Sequence, residues 1–321
     1  MVMDEKGVVE IPVEIPVLNQ EFALKPEIIQ NIPKKSLKEI ASRVQSPSSI
    51  LTYKQCPRKY FYQYIAKLPT KENIHLVRGK ITHEVLERFF VIPLDEISDE
   101  NYVEHFTYYV KNLFNALWTK ERPSIIKLGL TEDQIVFYYE ETIMMLANWL
   151  NQFLLRLREE MQTKGVRESF AAIKPVAMEQ GLNSELHMVR GFIDYIEEYI
   201  DSTTPVGEKK VRLMDYKTSK SSELTDNYRL QLAIYALLYE ETYGKKPNKV
   251  GLWFLKNGKE VCVHVDDELI QLAKFEIEQI HFNTQTKKLD DYPMKPSPLC
   301  KWSTGQCDFF EQCFPNGKRR W

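Results

Sequence analysis

The chain has 321 residues, enough for one large domain or two ordinary ones, and its 43% hydrophobic content suits a globular protein with a substantial core. A net charge of -2 argues only against indiscriminate polyanion binding, since a local basic groove is compatible with a neutral whole. No apolar run approaches the roughly 20 residues of a membrane span, and the acidic, Pro-broken start "MVMDEKGVVEIPVEIPVL" lacks the basic-then-apolar order of a secretory signal.

The expectation is therefore a cytoplasmic protein with no membrane partner. Five cysteines in a reducing compartment read as thiols or metal ligands rather than disulfides.

Residues 1–45 are punctuated by prolines and read as an extended arm. In "SPSSILTYKQCPRKYFYQYI", Ser46 or Ser48 can cap a helix that Pro57 breaks or restarts. "VRGKITHEVLERFF" has helical spacing, and from about 99 to 163 the pattern is helical almost throughout. Near 173 the texture changes to short β-leaning runs: "IKPVAMEQGL", "ELHMVRGFIDYIEEYI" and "KKVRLMDYKTS". "DNYRLQLAIYALLYEETYG" returns to helix, with Asp226 as cap and Gly244 as stop. "VGLWFLKNGKEVCVHV" is a hairpin turning at Asn257-Gly258, and a helix at about 266–285 leads into a cysteine-rich tail. The order predicts a mixed α/β core carrying a helical insertion at about 95–165.

Two β-leaning runs end in acids. "GFIDYIE" places Asp194 among apolar residues, and "LMDYKTSK" places Asp215 two residues before Lys217, on the same strand face. An acid and a lysine sharing a face can hold a divalent cation with a water beside it; a surface ion pair is the plainer alternative. His83 and Glu87 share a helical face at i,i+4, as do Gln231 and Tyr235. A neutral imidazole can complete a carboxylate-rich metal site, while a core histidine and an ordinary polar helix edge remain open.

Taken in order, Gly79-x-x-x-His83-x-x-x-Glu87, Gly191-x-x-Asp194, Asp215-Tyr216-Lys217-Thr218 and Gln231-x-x-x-Tyr235 resemble the RecB-type branch of the PD-(D/E)xK nucleases. "SSILTYKQCPRKYFYQYI" resembles the segment before the histidine motif in the iron–sulfur members of that branch, such as AddB-type nuclease domains and RecB-like CRISPR-associated nucleases. The resemblance runs from about 46 to 315 and implies a restriction-endonuclease-like core with a mixed β-sheet flanked by helices. A nuclease domain over 46–321 with an Fe–S-binding tail at about 296–315 follows from it.

The resemblance also implies a ligand set for the tail. One cysteine precedes the core and three follow it: Cys56, about 240 residues ahead of Cys300, Cys307 and Cys313. Four thiolates complete a 4Fe–4S site, and closing so long a loop would staple the two ends of the domain together. Structural zinc is the rival, although gaps of six and five residues differ from usual zinc spacing. The Cys300–Cys307 gap is longer than the family's usual short one. Cys262, inside the hairpin, reads as a buried core thiol.

For the active site, the resemblance implies magnesium or manganese on His83, Asp194, Asp215 and the Tyr216 carbonyl, with Lys217 catalytic. Gln231 and Tyr235 would contact nucleic acid or position Lys217, and Glu179 in "VAMEQ" and Glu87 would support. Expected phosphate contacts are Lys209, Lys210, Arg212, Lys220, Arg229 and the terminal "GKRR". The aromatics of "YFYQY" can stack on bases, or pack around the cluster. The implied activity is metal-dependent hydrolysis of DNA, exonucleolytic rather than endonucleolytic, on single strands or free ends, in repair, recombination or CRISPR-type processing. A non-catalytic DNA-binding or scaffold module of a helicase–nuclease is the alternative. With no G-x-x-x-x-G-K-[ST] loop in the chain, any motor would come from a helicase partner or a larger parent polypeptide.

Overall fold

Local signals start and stop the helices much as the sequence suggests. In the computed structural model, Ser46 caps α1 (Pro47–Gln55) by accepting the Ser49 N–H, and Pro57 restarts the chain as α2 (Pro57–Tyr60), which runs on into one wider turn at Phe61–Ile65. Asn73 caps α3 (Ile74–Phe89) through the His75 and Leu76 N–H groups. Two long helices follow, α4 (Tyr102–Lys127) and α5 (Glu132–Glu160), the latter opened by a Thr131–Gln134 capping box, and then α6 (Val166–Ile173). The structure describes residues 36–220, 222–302 and 305–315, with the backbone of Val2–Met3 and Val9–Glu10. Most of the expected 1–45 arm and the terminal "GKRR" lie outside the described residues.

The three β-leaning runs are strands: β1 (Ala177–Ser184), β2 (Val189–Tyr199) and β3 (Lys210–Lys217). Next come α7 (Asp226–Tyr243), the hairpin β4 (Lys249–Phe254) and β5 (Lys259–His264), and α8 (Asp267–Asn283). Thr225, rather than the expected Asp226, caps α7, because its hydroxyl accepts the Tyr228 N–H; Gly244 ends it in the left-handed region at φ 69°. The sheet order is β5-β4-β3-β2-β1, antiparallel except for the parallel β3–β4 pair that α7 crosses between. Val9–Glu10 and Val2–Met3 add two short strands beyond β5.

Helices cover both faces of this mixed sheet. On one, α3–α6 bury an aromatic core of Phe89, Phe106, Trp149, Phe153 and Phe170 against Tyr195, Met214 and Tyr216. On the other, α7, α8 and α1 pack Leu232, Ile234, Ile277 and Ile50 on Ile193, Leu213 and Leu252. The alternation of strand side chains sends Tyr216 to the first face and Asp215 to the second. Among the described residues, no helix is long and apolar enough to cross a membrane.

Candidate active site

Register builds the site. Met178 faces Tyr195 and Gln180 faces Ile193, so Glu179 stands opposite Asp194. Tyr195 faces Met214, so the next step along places Asp194 opposite Asp215. Three carboxylates from three neighbouring strands are thus gathered together, with Asp215 close enough to disfavour charge on Asp194. Ladder pairing between β2 and β3 stops at Tyr195–Met214, and the Tyr216 N–H turns instead to Asp194 Oδ2 at 2.6 Å. Glu179 holds a left-handed backbone at φ 45°, a strained conformation for a non-glycine residue of the kind that concentrates at functional sites.

His83, from the middle of α3, leans over the same carboxylates. Its Nδ1 lies 3.3 Å from Asp194 Oδ1 and 3.9 Å from Glu179 Oε1. Among the described residues, His83, Glu179 and Asp194 are the one trio whose ligand atoms lie within 4.8 Å of one another. Burial opposes charge on His83, but Asp194, Glu179 and Asp215 together raise it to about 10. Asp194 is pushed up to about 6, first by burial and then by Asp215, with His83 pulling the other way. Asp194, Glu179 and Asp215 thus all favour positive charge at the His83 position. Hard carboxylate oxygens with one imidazole fit magnesium or manganese.

The lysine side is equally connected. Lys217 Nζ pairs with Asp215 Oδ2 at 2.5 Å and donates to Gln231 Oε1 at 2.8 Å. That same Oδ2 is buried without an aligned hydrogen bond. Gln231 Nε2 donates to Asp215 Oδ1 (2.9 Å) and to Tyr235 OH (2.8 Å), and Tyr235 OH donates to Asp215 Oδ1 (3.2 Å). The expected i,i+4 pair on α7 is thus a clamp on Asp215 and Lys217. Gly191 on β2 allows the approach, since a Cβ there would stand 3.0 Å from the Tyr235 ring.

An open groove exposes these groups. Its walls are α3, with Gly79, His83 and Glu87, and the end of β3, with Asp215, Tyr216 and Lys217. Glu87 lines the groove but stands outside the close-set trio, whereas Glu179 belongs to it. Pairing between β1 and β2 brings Glu179, expected as a supporting carboxylate, to His83 and Asp194.

The expected phosphate contacts fare differently. Arg212 is half-buried, held by Glu197 and Glu260 on the face opposite Asp215, because the core of α3–α6 lies there. Lys209 pairs with Glu198 and Lys210 with Asp201, at the far end of β3 from the groove. Lys220 is exposed and Arg229 half-buried, and neither lines the groove; the cations that do are Lys80, Arg88 and Lys217, with His75 beside them.

Apart from this groove, Cys56, Cys300, Cys307 and Cys313 line one small cavity. All are free thiols, and burial pushes Cys313 up to about 11 and raises Cys307. The "YFYQY" aromatics pack toward this tail: Tyr62 lies 5.4 Å from Phe309, and Phe61 5.1 Å from Tyr292. Cys262 is 2% exposed beside Met214, as a core thiol.

A mixed sheet covered by helices, with acids on adjacent strand ends and a D-x-K strand, is the arrangement of a metal-dependent nuclease of the PD-(D/E)XK class. The family model of the PD-(D/E)XK nuclease superfamily matches residues 45–314, and the chain belongs to that superfamily. No curated protein matches it.

Proposed function

We propose that the protein is a metal-dependent DNA nuclease of the RecB-type, iron–sulfur branch, acting on single-stranded DNA or DNA ends, with the nuclease domain spanning 46–321. The observation that carries this reading is the cluster Glu179–Asp194–Asp215, with His83 above it and Lys217 beside it. Glu179, Asp194, Asp215 and His83, with the Tyr216 carbonyl, would hold a magnesium or manganese ion. When bound, such an ion polarises the scissile phosphate and lowers the pKa of a water. Lys217 then stands where its ammonium can orient the attacking water or stabilise charge developing on a phosphate oxygen. Gln231 and Tyr235 keep Lys217 and Asp215 in register, so they act as positioning residues. Exonucleolytic action, a role in repair, recombination or CRISPR-type processing, and a helicase partner or parent polypeptide belong to the same proposal.

The cysteine cavity supports a 4Fe–4S cluster on Cys56, Cys300, Cys307 and Cys313. Structural zinc on the same thiols is the rival reading, and metal content decides between them.

The test is digestion of end-blocked and open, single- and double-stranded labelled DNA with magnesium or manganese. The wild-type protein should shorten open strands, and Asp215→Ala should lose activity by orders of magnitude while remaining folded. Equal turnover by Asp215→Ala would refute the site. Metal-independent binding without cleavage by the wild-type protein would favour a scaffold module.

A further inference from the structure

Gly79 lies inside α3, Ile74–Phe89. A helix interior is an unfavourable place for glycine, which loses more backbone freedom on folding than any other residue. Two reasons within a protein commonly hold a glycine there: a left-handed backbone, or a close neighbour that a Cβ would strike. Neither applies. The Gly79 φ is outside the left-handed region, and a Cβ added to it meets no atom within 4 Å. Gly191 shows the contrast, since its added Cβ would meet the Tyr235 ring at 3.0 Å and Leu238 at 3.1 Å.

The bare surface of Gly79 faces the groove that holds His83, Asp215 and Lys217. It sits one helical turn before His83, a separation of about 5–6 Å at the Cβ level, comparable to one nucleotide step along an extended strand. Leu76, one turn further, is 60% exposed and lines the same groove, and Lys80 beside Gly79 adds a cation to this stretch of wall. Across from it, Tyr228 OH lies 3.2 Å from Ser219 Oγ, and both residues line the groove with neutral hydroxyls.

We infer that Gly79 is the bearing surface for the sugar–phosphate backbone of the substrate strand, at the nucleotide next to the scissile phosphate. The inference rests on the nuclease reading and deepens it. A side chain at this position lifts the strand away from His83 and Asp215 by its own thickness. A misplacement of about 1 Å is enough to cost two orders of magnitude in rate.

Gly79→Ala and Gly79→Leu test this, each measured for melting temperature, Mn2+ affinity, binding of a labelled single-stranded oligonucleotide in Ca2+, and kcat/KM in Mg2+. Alanine and leucine favour helices, so the melting temperature should hold or rise by about 2 °C. Mn2+ affinity should match the parent. Cleavage should fall with Ala, and Leu should weaken oligonucleotide binding by at least about tenfold. Gly79→Leu that binds and cuts like an active parent overturns this inference alone. Lower melting temperature together with lost Mn2+ binding in both variants overturns it by showing that Gly79 serves packing. A parent that neither binds Mn2+ nor cuts DNA overturns the nuclease reading, and this inference with it.

Discussion

Glu179 and His83 show how a single side chain gains its role from what stands across from it. Glu179 occupies a strained left-handed backbone opposite Asp194, and His83 bridges toward both carboxylates. Loss of even an outer partner of a metal ligand commonly costs 10–100-fold in affinity. Glu179→Ala and His83→Ala should therefore each weaken Mn2+ binding by at least about tenfold, read by calorimetry, with partial recovery of cleavage at high manganese. Unchanged Mn2+ affinity in Glu179→Ala would remove it from the site. The i,i+2 relation of Asp215 and Lys217 and the i,i+4 relation of Gln231 and Tyr235 are legible in the sequence because the backbone sets them. Glu179 is named from the sequence only as a supporting carboxylate, because its neighbours His83 and Asp194 lie on other elements. Arg212 misleads for the same reason: a strand of alternating faces does not reveal which face is covered.

Between elements, a charged network joins the helical face to the sheet. Glu197 on β2 pairs with Arg156 of α5 and with Arg212 directly opposite on β3, which reaches on to Glu260 of β5. Burial would raise the Glu197 carboxyl, but Arg212 and Arg156 bring it down from 4.5 to about 2. A carboxylate depressed in the fold contributes stability that is present above about 4.5 and lost as pH falls through about 2. Glu197→Gln should flatten that acid limb in denaturation measured across this window. It should also destabilise at neutral pH, since Arg156 loses its carboxylate partner and Arg212 keeps only Glu260. An acid limb as steep as the parent's would assign the pH dependence elsewhere. The helices and strands themselves were largely readable, for caps such as Ser46 and stops such as Gly244 act locally. Thr225 took the cap expected of Asp226 because the hydroxyl one residue earlier reaches the Tyr228 N–H.

At the scale of the whole molecule, Cys56 lines one cavity with tail cysteines about 240 residues further along the chain. On the iron–sulfur reading, protein purified without oxygen should be brown, with about four irons per chain. Cys56→Ser should bleach the colour and lower the melting temperature, because one substitution unties both ends of the domain. Cys262→Ser should leave the colour unchanged, and Asp215→Ala should stay brown while inactive. One tightly held zinc in colourless protein would reverse the assignment.

The sequence by itself determined the succession of helices and strands, the D-x-K strand with its same-face lysine, and the pairing of polar residues along α3 and α7. All of these follow from backbone periods of two and 3.6 residues, which act within a few positions. Only the tertiary structure decided that Glu179, Asp194 and Asp215 come together, that Arg212 turns inward, and that four distant thiols share a cavity. Those relations depend on which strands pair and which faces the helices bury. The free energy that selects them is collective packing across the molecule, which no short window of residues contains.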